Sequence, residues 1–417
     1  MKRLYVLDMF YPFDDYGETF LAAEIDYNAS HEQTDSVDKS IFPIWAKDVS
    51  NVKKELPSYK ILRHNSYNKK NKLLWCARAL FDKTVWQDIS RLRKIKQFSI
   101  KNILKTICFV GQGNFFAKQL CSDIKRNAYK TDLIVLYAYW MHLQAYMAAK
   151  VKEQLGKEYD IVSVSRCHRF DVYEYAQNGF IPAREYILNK LDGVYPISDD
   201  AYSYILERYK ADPAKLVVSR LGTKDKGVRI SQKSEVLRIV SCSWMRPVKR
   251  NSLILDAIEN SEFPVEWVHI GDGSEFELIK KRIEKLNNPN VHCKLLGRMG
   301  NAEVIEYYNQ NDFDVFINVS ESEGVPVSIM EAMAFGKIVV ATDVGGTSEV
   351  VHNGVNGYLL PLDVTKEQIY EALKSIMLLD SDTHKKMSTA SRTLWENLSD
   401  EEKNYSDFWK LLLGERG

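Results

Sequence analysis

Short runs of apolar, β-branched residues alternate along this chain with longer amphipathic stretches. In the first half the runs fall at 3–8, 132–138, 160–165 and 193–197. In the second half they fall at 237–242, 266–270, 292–296, 314–319 and 338–342, each followed by a turn signal and then a helical period. Near-continuous apolar strands that alternate with helices predict parallel sheets covered on both faces. One such set in each half predicts two doubly wound α/β domains of Rossmann type. No short repeat is present, which excludes solenoids and propellers.

The break lies after Leu221-Gly222-Thr223, where 224–234 is polar and poorly periodic and reads as a linker and hinge. The expected domains are 1–224 and 225–399, with a tail at 400–417. Tyr405, Phe408, Trp409, Leu411 and Leu412 form an aromatic stripe in that tail, which is expected to dock back on the N-terminal domain.

A length of 417 residues with 45% hydrophobic and 27% charged positions fits an ordinary globular protein of two or three domains. No run of eighteen apolar residues occurs, and the first residues do not read as a signal peptide. The six cysteines form no CxxC pair, so neither a zinc site nor a disulfide framework is indicated, and a cytoplasmic location is expected. The net charge of +1 hides an asymmetry: 91–130 carries ten Lys and Arg against one acid, Asp123. That basic, amphipathic stretch reads either as a contact to the inner face of a plasma membrane or as a solvated helix face; nucleic acid is not expected as a partner.

The most informative segment is 320–349. A strand ending at Val319 leads into a turn with Gly324 and Val325, then Pro326 at a helix start, with Val327 and Ser328 in the first turn. Ile329, Met330, Met333 and Ala334 give that helix a buried face, and Gly336 ends it. Free N–H groups at such a helix start suit an anion, and a diphosphate is the natural occupant. Glu323 would repel a bare phosphate but could accept hydrogen bonds from the hydroxyls of an attached sugar. Glu331, two turns along, could accept from a ribose; the plainer alternatives are a cap at Glu323 and a solvated Glu331. Asp312-Phe313-Asp314 has the form of a metal-binding pair but reads here as the polar entry to a buried strand. Gly345-Gly346 repeats a weaker strand-to-helix turn.

The pair Glu323 and Glu331, followed by Ala332, Gly336 and the run Val339 to Gly346, resembles the donor-site signature of family 4 glycosyltransferases. The likeness extends to Gly271-Asp272-Gly273 and to Gly297-Arg298 with Asn301, Val304, Tyr307 and Tyr308. In the N-terminal half, the residues around Phe10–Phe13 and Gly17–Glu18, with Tyr137–Trp140 and Ser165–His168, are similar to the branch that builds bacterial surface polysaccharides. The resemblance implies a retaining, metal-independent enzyme of the two-domain GT-B fold, with no cofactor. Its donor would be a nucleoside-diphosphate sugar, UDP ahead of GDP, and its acceptor a glycan or lipid-linked glycan. By position Glu323 would contact the donor sugar, Glu331 the ribose, Lys249 the diphosphate, His168 the transferred sugar, Gly17 the phosphate, and Gly271, Gly297 and Arg298 the nucleotide. One departure stands out: the family's arginine, five residues before the lysine, is Trp244 here, and Arg246 or Arg250 would have to supply the second cation. Other readings are a sugar-nucleotide epimerase of the same fold and a non-catalytic nucleotide- or polysaccharide-binding protein. The fragments Gly111-Gln112-Gly113 and Gly271-Asp272-Gly273 keep an NAD-dependent dehydrogenase in view.

Overall fold

A computed structural model of the chain describes residues 1–13, 18–31, 37–45, 56, 58–63 and 68–414. It divides into one unit formed by Met1–Ser219 with Tyr405–Gly417 and a second formed by Arg220–Asn404.

The first unit is built on a six-stranded parallel sheet. Its strands are β1 (Lys2–Asp8), β2 (Val37–Pro43), β3 (Lys60–Ile61), β4 (Leu133–Ala138), β5 (Asp160–Cys167) and β6 (Gly193–Pro196), in the order β3-β2-β1-β4-β5-β6. The order reverses direction between β1 and β4, where Lys2 pairs with Leu133 and Leu7 with Ala138. β2 and β3 went unread in the sequence, because Asp38 and Lys39 interrupt the apolar pattern of the first and the second has only two residues. One face of the sheet is covered by Tyr405, Phe408, Trp409, Leu412 and Leu413 of the helix Glu401–Leu413. The Arg166 guanidinium lies 4.0 Å above the Phe408 ring and beside the buried Glu24 carboxylate.

The second unit repeats the plan with β7 (Leu237–Cys242), β8 (Val265–Ile270), β9 (Val291–Leu295), β10 (Val315–Asn318), β11 (Ile338–Thr342) and β12 (Gly357–Leu360), ordered β12-β11-β10-β7-β8-β9. All pairs are parallel, and the direction reverses between β7 and β10. In open sheets of this kind ligands bind beyond the carboxyl ends of the strands at such a reversal.

The stretch 224–234, read from the sequence as a linker, belongs to the second unit. Ser231 Oγ donates to the Phe313 carbonyl at 2.6 Å, and the buried Lys337 Nζ donates to the Arg229 carbonyl at 2.7 Å. Arg392 pairs with Asp225. Polar side chains gave it a linker's composition, but they are spent on anchoring it.

The basic segment 91–130 also resolves differently from its pattern. It falls in two helices, Lys83–Lys94 and Ile100–Asn127. Phe109, Val110, Phe115, Phe116, Leu120 and Ile124 lie in the core, and Arg91 is buried against Glu174. Gly111 and Gly113 sit inside the second helix. A β-carbon there would meet the Trp75 carbonyl at 2.7 Å or the Tyr146 ring at 2.3 Å, so these glycines serve helix packing and not a dinucleotide turn. Among the described residues no helix is long and apolar enough to cross a membrane.

Candidate functional site

Around the reversal between β7 and β10 the loops that follow each strand are tied together. After β7 the chain makes a short turn, Pro247–Lys249, and Arg250 enters the left-handed region at φ 51°. Arg250 is committed to the scaffold: its guanidinium donates to the carbonyls of Val319 (2.6 Å), Leu362 (2.7 Å) and Ser320 (3.3 Å). The Glu321 N–H donates to the Val248 carbonyl at 2.8 Å. These bonds fix the loop that carries Glu323.

Lys249 Nζ reaches Glu323 Oε1 at 2.5 Å, and Asn318 Nδ2 donates to the same oxygen at 3.2 Å. Glu323 is nearly buried, so its charge is held in a weakly screened setting beside its partner. The loop is pinned from beneath by Gly345, whose φ of 53° leaves no room for a β-carbon: one placed there would lie 2.2 Å from the Glu323 carbonyl. The Gly346 N–H donates to the Gly324 carbonyl at 2.8 Å.

The helix then runs from Val327 to Ala334, with Pro326 as its cap residue. In an α-helix the first N–H groups have no intrahelical acceptor, which leaves those of Val327 and Ser328 facing the loop side. The far end closes with Gly336 at φ 73°, its N–H donating to Met333 and that of Lys337 to Ala332. Glu331 is buried. Its carboxylate accepts from Asn301 Nδ2 at 2.6 Å, and burial pushes its pKa up to about 7. Asn301 opens the helix that follows the loop 297–300, so the structure brings Glu331 to that loop.

The loops after β8 and β9 meet in an antiparallel bridge, with the Gly271 N–H donating to the Gly297 carbonyl at 2.8 Å. Both glycines have positive φ, and a β-carbon on Gly271 would meet the Ser243 carbonyl at 1.9 Å. Trp244 is exposed at the end of β7. The guanidinium groups of Arg246 and Arg298 each lie 5.6 Å from its ring, within cation–π range. Arg246, unlike Arg250, is exposed.

In the first unit His168 caps the end of β5. Its ring lies 4.6 Å from that of Tyr139 and 4.8 Å from that of Trp140. Burial, aided by Arg166, lowers its pKa to about 3, so the ring is neutral near pH 7. The ring hydrogen-bonds the Tyr139 backbone, and Nε2 has no partner among the described residues. Gly17 lies outside the described residues.

Asp312 and Asp314 stand at the amino end of β10, opposite the site. Asp312 pairs with Arg229 at 2.8 Å, and Asp314 accepts from the Arg238 N–H at 3.0 Å.

The sequence model of the glycosyl transferases group 1 matches residues 224–394, the segment that holds Lys249, Glu323 and Glu331. That segment, about two fifths of the chain, is similar to the group 1 glycosyl transferases. Among similar proteins, N-acetyl-alpha-D-glucosaminyl L-malate synthase of Bacillus anthracis is 25% identical over 297 residues, covering 66% of this chain and 72% of that protein. An uncharacterized glycosyltransferase of Methanocaldococcus jannaschii is 35% identical over 133 residues, 31% of this chain and 36% of that protein. The O-antigen biosynthesis glycosyltransferase WbnH of Escherichia coli is 30% identical over 133 residues, 32% and 36% of the two chains. The match to these last two thus spans about a third of their length. In three dimensions, the lipopolysaccharide outer core galactosyltransferase WaaB superposes with a TM-score of 0.70 at 15% identity, over 99% of this chain and 100% of the other. Anabaena Alr3699/HepE in complex with UDP gives 0.67 at 15% identity, with the same coverage. The fold is that of the GT-B enzymes.

Asn318 was not singled out in the sequence, and the contacts of Asn301 and Gly345, named there only as parts of motifs, were not visible in it. Asn301 and Asn318 hold the two glutamates, and Gly345 carries the Glu323 loop. Asparagines give no periodic signal. Gly345 looked like an ordinary turn glycine until its neighbour was visible.

Proposed function

We propose that this chain is a group 1 glycosyl transferase that moves a sugar, with retention at the anomeric carbon, from a nucleoside-diphosphate sugar to a hydroxyl of a glycan or lipid-linked glycan in bacterial surface-polysaccharide synthesis. UDP is the preferred donor nucleotide, ahead of GDP, and no metal is needed. The work is placed at the inner face of the plasma membrane, in the cytoplasm. The observation that carries the reading is the Lys249–Glu323 pair beside the start of the helix Val327–Ala334, at the strand-order reversal of the second sheet.

The chemistry follows from what each group can hold. The bond from the anomeric carbon to the diphosphate breaks with charge developing on the leaving phosphate. The N–H groups of Val327 and Ser328, the Lys249 ammonium and the Arg246 and Arg298 guanidiniums are fixed positive groups for that charge. As the diphosphate takes Lys249, Glu323 is left to accept from sugar hydroxyls. The Glu331 carboxyl, buried beside Asn301, suits the ribose hydroxyls. Neutral His168 can orient a sugar hydroxyl through Nε2 but cannot supply charge. The acceptor hydroxyl attacks the face the diphosphate leaves, and its proton passes to the departing phosphate oxygen. Anabaena Alr3699/HepE, similar in fold, forms complexes with UDP and with UDP and glucose, which supports the choice of nucleotide.

The test is calorimetry with UDP, GDP and ADP in EDTA and in Mg²⁺, followed by NMR of the anomeric proton in donor hydrolysis without acceptor. UDP binding in EDTA, lost in Lys249→Met, and an α-product from an α-donor are expected. Binding that requires Mg²⁺ overturns the metal-free reading, and inversion overturns the stereochemistry.

A further inference from the structure

Between β3 and β4 the first unit carries three helices, Lys69–Ala79, Lys83–Lys94 and Ile100–Asn127. They pack on one another: Cys76 and Cys108 bring their sulfurs within 3.6 Å, and the Trp86 indole donates to the Leu80 carbonyl at 2.8 Å. Over 70–104 their exposed side chains are mostly apolar or cationic, with Gln87, Ser90 and Ser99 the exposed neutral polar ones. Leu73 is 79% exposed, Phe81 93%, Trp86 59% and Ile100 77%, joined by Leu74, Leu80, Phe98 and Leu104. Among them stand the exposed cations Lys70, Lys72, Arg78, Lys83, Arg93, Lys94, Lys96 and Lys101. The stretch 69–104 holds two acids, and both are turned inward. Asp82 accepts from Asn114 and pairs with Lys150 at 2.9 Å, and Asp88 accepts from the Ala183 N–H.

We propose that this helical cap docks on an anionic phospholipid bilayer, with Phe81, Leu80 and Trp86 at the helix–helix turn entering the headgroup boundary and the cations meeting lipid phosphates. Charge complementarity selects this occupant. A protein partner would need matching acids across the whole cap and an apolar complement at the same points. A polyanion would use the cations and leave a nearly fully exposed phenylalanine in water. A lipid surface satisfies both kinds of side chain at once. The apolar residues of the basic segment 91–130 that lie past Leu104 are largely core, so the contact is carried by 70–104 instead. The proposal shares with the proposed function only the expectation of a membrane, and it is tested apart from transfer.

The full-length protein is sedimented with vesicles of phosphatidylcholine alone and of phosphatidylcholine with one quarter phosphatidylglycerol, at physiological salt. Partition onto the anionic vesicles is expected to exceed that onto neutral ones by about tenfold or more. Phe81→Asp with Trp86→Asp should weaken it by about tenfold, and Lys70→Glu with Lys72→Glu and Arg78→Glu by about fivefold for each cation removed. Phe81 and the three cations are exposed, so the thermal midpoint and UDP affinity of Phe81→Asp and of the charge variants should match the parent; Phe81→Asp alone carries the apolar arm if Trp86→Asp, which loses its bond to the Leu80 carbonyl, lowers the midpoint. Unchanged UDP affinity separates failure here from failure of the donor-site reading. Equal partition onto both vesicles, or none onto either, overturns the proposal. So does loss with the charge variant but not with Phe81→Asp and Trp86→Asp, which marks a surface for polyanions. A dimer in sedimentation velocity that Phe81→Asp dissolves, without vesicle binding, assigns the face to a second copy and also overturns it.

Discussion

Lys249 and Glu323 meet at 2.5 Å although they follow different strands, β7 and β10, that lie side by side only because the sheet reverses its order there. The proposed donor, which bears both a phosphate and hydroxyls, would give each member of the pair a new partner. Lys249→Met is expected to lower kcat/KM by about 10²–10³, the usual cost of losing one group that stabilises developing negative charge. Glu323→Gln should reduce kcat while UDP affinity holds within about threefold, since the glutamate is assigned to the sugar and not to the phosphate. Steady-state kinetics beside UDP calorimetry checks both. Equal loss of UDP affinity in the two variants contradicts the division of roles.

Arg246 and Arg250 should behave differently although four residues apart. Arg250 supports three carbonyls, so Arg250→Ala should lower stability by about 2–4 kcal/mol, the range for stranded acceptors in a network. Arg246 is exposed beside Trp244, so Arg246→Ala should leave the unfolding midpoint in place and weaken UDP binding by about tenfold. Urea unfolding and calorimetry on the two variants separate these outcomes. The assignment fails if Arg246→Ala binds UDP like the parent.

Glu331 makes stability depend on pH in a stated direction. Its pKa rises from 4.5 to about 7 through burial, so between those values the folded chain keeps a proton that the unfolded chain has released. The stabilisation is whole below pH 4.5 and is lost as pH climbs through 7, by at most about 3 kcal/mol. Glu331→Gln, which keeps the shape and a partner for Asn301, should flatten the fall of the thermal midpoint across that window. Asp88 and Asp171, also raised to about 7, leave a residual slope in both proteins. Identical slopes for parent and variant would remove Glu331 from the account.

Gly345→Ala places a methyl where the Glu323 carbonyl already lies, at a backbone angle that alanine tolerates poorly. The loop must move for the chain to fold, carrying Glu323 off Lys249. The expected outcome is a folded protein with kcat down by about a hundredfold, as for a displacement of about 1 Å. Gly354→Ala is the control: its φ of 70° imposes similar strain, but no atom lies within 4 Å. A parent-like rate in Gly345→Ala, measured on material with native circular dichroism, refutes the argument.

Hydrophobic periodicity alone located nine of the strands, because a strand buried on both faces must be apolar along its length. β1, β5, β7, β8 and β11 could hardly be anything else. Gly324, Pro326 and Gly336 likewise announced the helix Val327–Ala334, since local backbone preference sets a helix start and stop. The short edge strands β3 and β12 were not legible, because their pairing comes from neighbours and not from their own pattern. The same limit applies to the site. Sequence could name Lys249 and Glu323 as candidates, but only strand order brought them together. Sequence could offer Arg246 and Arg250 as equals, but only the carbonyls of Val319, Ser320 and Leu362 committed one of them to the scaffold. It showed cations and apolar residues mixed through 91–130, but only packing decided which face the core and which face water. What the chain determined by itself was every feature fixed by neighbours in sequence. What tertiary structure decided was every contact made across the sheet, where side chains far apart in sequence compete for the same space and the same hydrogen bonds.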